Sequence, residues 1–142
     1  MRPSPQLLLA IGLLLWVLLV IAAPGALFPF GHLICHQRPE RSFFIGGRQL
    51  LVCARCTGLY LGAALAIPLG LSAAIVVSSR RNRRILLVAA LPTLVTWTLE
   101  FAGLVPFSNV TRFVCALPLG FAAARMVFAT MTDDRWPMGD GR

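Results

Sequence analysis

The sequence predicts an all-α fold, an integral membrane bundle of four transmembrane helices that forms one domain over residues 1–142. The chain is 58% hydrophobic with a mean hydropathy of +0.80, and only 13% of its residues are charged, about half the usual share. Four apolar runs follow one another, each close to the roughly 20 residues that an α-helix needs to cross a bilayer. Because unpaired backbone groups are costly in lipid, we expect these runs to be helices.

The first apolar run, Leu7 to Leu27, carries no charge and ends at Pro24-Gly25. Its apolar core is longer than that of a cleaved signal peptide, and A-A-P-G-A lacks a clear cleavage site, so we expect a retained helix. The other runs extend from Thr57 to Val77, from Ile85 to Val105 and from Phe113 to Met131. A 29-residue loop joins the first two runs and short links join the rest, which makes neighbouring helices antiparallel.

The charges lie mainly between the apolar runs. All thirteen basic residues are arginine, against five acids, giving a net charge of +8. A nucleic-acid-binding protein would carry such charge on a soluble face, so we expect the lipid bilayer and no nucleic acid as the partner. Arginine counts favour cytoplasmic termini and a first loop on the opposite side.

Small residues recur at four-residue spacing on the second and fourth runs. The positions are Gly58, Gly62, Ala66 and Gly70, then Ala116, Gly120 and Ala124. Such ridges let helix backbones approach closely, either within one chain or in a homo-oligomer.

Two charged residues fall inside predicted spans and need partners. Glu100 lies near the loop-side end of the third run, and Arg125 lies past the middle of the fourth. They can pair only if the arginine reaches toward the carboxylate; otherwise Arg125 extends to the interface and Glu100 is neutral or bonded to threonines. The functional alternative places Glu100 in a polar pocket under the first loop.

The first loop holds both histidines and three of the four cysteines. I-G-G-R, from Ile45 to Arg48, is a turn signal that folds the loop back and brings the cysteines together. The pattern H-x2-C-x17-C-x2-C resembles zinc-ribbon spacing. Two Cys3His ligand sets suit zinc, and they share Cys35, Cys53 and Cys56 while differing in His32 or His36.

The same cysteines also suit thiol chemistry. Cys53-x-x-Cys56 opens a helix, where the helix dipole and Arg55 favour a thiolate, and Cys35 and Cys115 lie on the same side. This layout is similar to that of membrane oxidases that pass electrons from thiols to quinone, with Cys35 as the resolving partner. A structural disulfide between Cys35 and either Cys53 or Cys56 is the third alternative.

The stretches C-H-Q-R-P-E-R-S-F-F, G-R-Q-L-L-V-C-A-R-C-T-G-L-Y-L-G and S-N-V-T-R together resemble an uncharacterised bacterial family of small multi-pass membrane proteins, a domain of unknown function. The resemblance covers about Cys35 to Gly120 and implies a bacterial cell-membrane protein. Its recurrent residues correspond to Cys35, His36, Gln37, Arg41, Ser42, Cys53, Cys56, Thr57 and Gly58. Because His32 is outside this pattern, the resemblance favours His36 as the fourth ligand.

The chain departs from the family pattern at two places. Thr96 and then Glu100 stand where an acid and a glutamine are usual, and Cys115 replaces a threonine, which argues against a relay through Cys115. We therefore expect a zinc-type site, structural or sensory, above a polar pocket of Glu100, Thr96 and Arg41, whose guanidinium also suits an anionic head group. The alternative is a membrane thiol-disulfide oxidoreductase.

Overall fold

The computed structural model describes residues 4–22, 27–68 and 79–132. The helices within these ranges are α1 (Pro5–Ala22), α2 (Phe28–Gly31), α3 (Ala54–Leu65), α4 (Ser79–Phe101) and α5 (Asn109–Thr132). A 3-10 turn, Pro39–Arg41, precedes the strands β1 (Ser42–Ile45) and β2 (Arg48–Cys53).

Within the described ranges, three helices are long and apolar enough to cross a membrane: Pro5–Ala22, Arg80–Phe101 and Asn109–Met131. They correspond to the first, third and fourth predicted runs. The second run begins within α3, its residues 57–68 are described, and residues 69–77 lie outside the described ranges. The mostly helical membrane fold is therefore supported, whereas the count of four spans is not confirmed.

The first loop contains an antiparallel β-hairpin, so the all-α prediction was wrong there. Gly46 and Gly47 form a two-residue turn with φ of +57° and +76°, the left-handed values that suit a tight hairpin turn and that glycine adopts readily. The strands were missed because Leu50, Leu51 and Val52 are buried in succession and lack the alternation of a half-exposed strand.

Helix α3 packs against α5 through glycines, and α1 and α4 pack on the outer sides of this pair. A Cβ atom at Gly58, Gly62 or Gly120 would collide with backbone carbonyl groups of the opposite helix. The predicted close approach is therefore confirmed as contact between helices of one chain. A homo-oligomer remains a prediction.

An apolar cluster joins the loop to the helices beneath it. Val20 of α1 packs with Cys35, Leu51 and Val52, all nearly inaccessible to solvent. The loop is therefore held against the end of α1 rather than extended away from the helices.

The ends of α4 and α5 are fixed by local capping. Gly103, with φ of +69°, ends α4: its N–H donates to the carbonyl of Glu100, and Leu104 N–H donates to that of Leu99. Ser108 begins α5, because its side-chain oxygen accepts from the N–H of Thr111 at 3.1 Å. The last turn of α4 and the first turn of α5 lie next to the cysteine loop, because Glu100 accepts a hydrogen bond from Arg55 and Asn109 donates one to the Ser42 carbonyl.

Candidate metal centre

Three cysteines of the first loop meet where β2 passes into α3. Cys53 is the last residue of β2 and the N-cap of α3, and Cys56 lies in the first helical turn. Cys35 approaches from the segment after α2, and its sulfur accepts the backbone N–H of Cys53 at 3.2 Å. The Sγ atoms of all three lie within 4.8 Å of one another. The predicted meeting of these cysteines is thus present in the structure.

The sulfur of Cys53 is the one most favoured as a thiolate. Its pKa falls from the ordinary 9.0 to about 5, chiefly because the Cys56 thiol donates a hydrogen bond to it, although burial acts in the opposite direction. The Cys35 thiol and the backbone amides at the start of α3 contribute further, as expected at a helix N-terminus. The Cys53 side chain forms no capping hydrogen bond at the start of α3.

The four cysteines are free thiols, so the disulfide alternatives are not formed in this structure. Within the described ranges, neither histidine joins the sulfur cluster. The His36 side chain is exposed although its neighbour Cys35 is buried, and the His32 ring packs edge-on against Phe28 at 6.0 Å. Neither predicted Cys3His shell is therefore complete in this geometry.

Hydrogen bonds of two glutamines hold the loop in shape. The Gln37 amide donates to the carbonyls of Phe28 at 2.9 Å and Leu51 at 2.7 Å, and this side chain is only 3% exposed. Gln49 of β2 donates in turn to the Gln37 carbonyl at 2.6 Å and to the Ser42 hydroxyl at 3.0 Å. These bonds tie the chain just after Cys35 to the strand that ends at Cys53.

Glu100 lies under the loop, bound to two arginines. Arg55, between the two cysteines of C-A-R-C, donates to Oε2 at 3.0 Å, and Arg112 donates from Nε to Oε1 at 2.6 Å. The Glu100 side chain is 5% exposed and that of Arg112 is 10% exposed. Of the alternatives left open for Glu100, the threonine-bonded carboxyl and the pair with Arg125 are not present, and its partners are Arg55 and Arg112 on the loop side.

Arg112 extends this network back to the loop. Its Nη1 donates to Asn109 Oδ1 at 2.6 Å and to the Glu40 carbonyl at 3.3 Å, while Asn109 donates to the Ser42 carbonyl at 3.0 Å. We define the ion network as Arg55, Glu100 and Arg112. It joins the C-x-x-C turn to α4 and α5.

The other predicted pocket residues, Thr96 and Arg41, are not members of the ion network. The Thr96 hydroxyl donates to the carbonyls of Pro92 and Thr93 within its own helix. Arg41 ends the 3-10 turn, and Cys115 lies on α5 outside the sulfur cluster. Arg112 and Asn109 were missed as network members although S-N-V-T-R had been noted, because nothing in that motif indicates which distant carboxylate it faces.

These features define a mostly helical membrane protein with three candidate spans in its described ranges and a thiol cluster at the start of α3. The family model described as "Predicted membrane protein (DUF2085)" matches residues 35–126, more than half of the chain, and the chain belongs to this family.

The similar relatives are archaeal. The chain is 37% identical over 97 residues to an uncharacterised protein of Methanothermobacter thermautotrophicus, a match covering 64% of this chain and 81% of the relative. It is also 37% identical over 90 residues to an uncharacterised protein of Methanocaldococcus jannaschii, covering 63% of this chain and 58% of that relative. These relatives give no support to the expected bacterial origin. No solved structure matches the chain.

Proposed function

We propose that this membrane protein carries a zinc-type metal site on its first loop, with Cys35, Cys53 and Cys56 as ligands and a structural or sensory role. The observation that carries the proposal is the convergence of three free thiols from two separate chain segments. Thiolates are soft donors that favour zinc among divalent ions, and copper among monovalent ones.

The geometry fits a metal ion after a small adjustment. Zinc binds thiolates at about 2.3 Å, which places tetrahedral sulfurs roughly 3.8 Å apart. The sulfurs here are within 4.8 Å of one another, so side-chain rotations that move them by about 1 Å close the shell. The lowered pKa of Cys53 provides one ligand already deprotonated at neutral pH.

The fourth ligand is His36 or an exogenous molecule. His36 follows Cys35 directly, but its imidazole faces solvent, so it must turn inward to complete a Cys3His shell. If water takes the fourth position, the site resembles open zinc centres that exchange ligands.

The test is metal analysis of protein purified in detergent without chelators. We expect one equivalent of zinc, together with the intense visible bands of tetrahedral cobalt after reconstitution with Co²⁺. Cys56→Ser should lose the metal, and Cys115→Ser is the matched control that should retain it. His36→Ala distinguishes the two fourth ligands, because only a Cys3His shell changes its cobalt spectrum. A protein that binds no zinc or cobalt would refute the proposal.

The second candidate function is a thiol-disulfide oxidoreductase, favoured by the low pKa of Cys53. The Cys53 thiolate would attack a substrate disulfide, and Cys56, or Cys35, would release the product by forming a disulfide with Cys53. Two protein thiols are oxidised while the substrate disulfide is reduced to two thiols. The quinone expected from the layout remains a prediction. Trapping of a mixed disulfide by Cys56→Ser, together with no metal in the wild type, would favour this function.

We also propose that the loop faces away from the cytoplasm. Arg38 is 60% exposed on this loop, so Arg38→Cys in a Cys115→Ser background offers an accessible thiol. Labelling by a membrane-impermeant maleimide from outside intact cells supports this orientation, and labelling only after lysis contradicts it.

A further inference from the structure

The ion network carries one more positive than negative charge in a buried place. Arg55 and Arg112 share the Glu100 carboxylate, and their side chains are 17% and 10% exposed. Glu100 is the one buried acid in the ranges that the structure describes, where the other acid, Glu40, has a side chain 62% exposed. Charges without compensation are costly where water is excluded.

Part of the surplus positive charge belongs to Arg55, the residue directly before Cys56 in sequence. Arg55 stands between Cys53 and Cys56 in the first turn of α3, so the length of its own side chain limits the distance from its guanidinium to these cysteines. Its Nε is buried and has no hydrogen-bond partner, which leaves part of this guanidinium unsatisfied by Glu100. In the described ranges the remaining carboxylate, Glu40, is exposed, so thiolates of the sulfur cluster are the groups left that can supply further negative charge.

Charge counting then distinguishes between metal ions. Three thiolates around a divalent ion carry a net charge of −1, which balances the +1 of the ion network. Three thiolates around a monovalent ion carry −2 and leave an excess negative charge. The electrostatic interaction between the metal–thiolate centre and the ion network would be strong, because few water molecules screen buried charges.

We propose that Arg55, Glu100 and Arg112 are specificity-determining residues that make the thiol site select a divalent over a monovalent soft cation. This inference rests on the proposed metal site. The three residues do not ligate the metal; they set the charge against which the loaded centre is balanced.

The test is a competition titration in which Ag⁺ displaces Co²⁺. The displacement is monitored as the loss of the cobalt–thiolate absorption. The ratio of the two affinities depends only on the two loaded states, so the protonation of the metal-free thiols cancels. Glu100→Gln adds one positive charge to the network and should shift the ratio toward Ag⁺. For a separation of roughly 10 Å and an effective dielectric constant of about 20, we expect about a tenfold shift.

The matched control is Glu40→Gln, which changes the net charge equally at an exposed site where solvent screens it, and which should leave the ratio unchanged. Glu100→Asp keeps the charge and should keep the ratio near that of the wild type. If Glu100→Gln does not fold, Arg55→Gln provides the opposite test, because it should shift the ratio toward Co²⁺.

The possible failures are distinguishable. A wild-type protein that binds neither ion overturns the metal site itself. Binding of Co²⁺ with a ratio that is the same in Glu100→Gln and Glu40→Gln overturns the charge-selection proposal alone. A ratio that Glu100→Asp alters as strongly as Glu100→Gln also overturns it, because geometry rather than charge would then be responsible.

Discussion

Replacing Arg112 with methionine tests whether the ion network holds the loop to the helices. The guanidinium donates to Glu100, to Asn109 and to the Glu40 carbonyl, and methionine keeps much of the apolar stem while removing all of these bonds. Since Glu100 is 5% exposed, water cannot readily take the place of the lost donors.

The magnitude follows from what the change leaves unpaired. Breaking a buried ion pair by removing one partner costs about 3–5 kcal/mol. Glu100 keeps its bond to Arg55 at 3.0 Å, which lowers the expected loss of unfolding free energy to about 2–4 kcal/mol. Arg112→Lys keeps the positive charge but lacks the planar set of N–H donors of a guanidinium. We therefore expect this variant to lose less unfolding free energy than Arg112→Met, but not to match the wild type.

The assay is urea unfolding in detergent micelles, followed by tryptophan fluorescence. The double variant Arg112→Met with Glu100→Gln should lose less stability than the sum of the single variants, because the two residues interact directly. A loss below about 0.5 kcal/mol for Arg112→Met would refute the reasoning. Strict additivity in the double variant would refute it as well, since the contact would then contribute nothing.

Three further predictions follow from other contacts. Gly62→Ala should lower the unfolding free energy by about 2 kcal/mol or more, because the added methyl group meets the backbone of α5. Gly12→Ala, which has open space around it, should have little effect or stabilise the protein. Equal effects of the two substitutions would contradict this packing. In metal-free protein, the alkylation rate of Cys53 should reach half its maximum near pH 5 and be flat by pH 7, since the pKa of this thiol lies below the ordinary 9.0. Peptide mass spectrometry after short iodoacetamide pulses measures the rate. A rate that still rises tenfold per pH unit at pH 7 would show an ordinary thiol. Gln37→Ala should lower the free energy of urea unfolding by about 1–3 kcal/mol through the loss of two buried hydrogen bonds. Gln37→Gly should be about 1 kcal/mol more stable than Gln37→Ala, because residue 37 has a φ of +45°, which glycine adopts without strain. The reverse order of stability would exclude this backbone strain.

Hydropathy predicts the long helices well because membrane-spanning segments need a nearly uniform apolar composition. The runs starting at Leu7, Ile85 and Phe113 correspond to α1, α4 and α5, with boundaries that differ by several residues at helix ends. At the start of α4 the difference arises because polar residues 80–84 continue the helix beyond the apolar run, and at its end because the helix stops at Phe101 before the run does. A hydropathy pattern does not predict such extensions, because arginines can continue a helix where their side chains reach the membrane interface.

The loop was predicted less completely because its structure depends on distant contacts. The G-G turn and the C-x-x-C spacing are local signals, and they indicated correctly that Cys35, Cys53 and Cys56 meet. Arg55 and Glu100 are 45 residues apart in sequence, and neither residue type specifies its partner. Their pairing depends on how α3, α4 and α5 pack, which one sequence does not determine.

The hydrogen bonds of the loop bear on whether the proposed metal is structural or sensory. Gln37, Gln49 and Asn109 already connect the cysteine-bearing segments to the hairpin and to α5. A loop held in this way does not need a metal to order it, unlike zinc fingers, which are unfolded without metal. We therefore expect that removing the metal with a chelator leaves the far-UV circular dichroism unchanged. The unfolding free energy should fall only by the contribution of metal binding, which grows with the logarithm of the free metal concentration. Loss of helical signal on chelation would instead assign the metal a structural role. Retention of the fold would favour a site whose occupancy can change while the membrane helices stay assembled, as a sensory function requires.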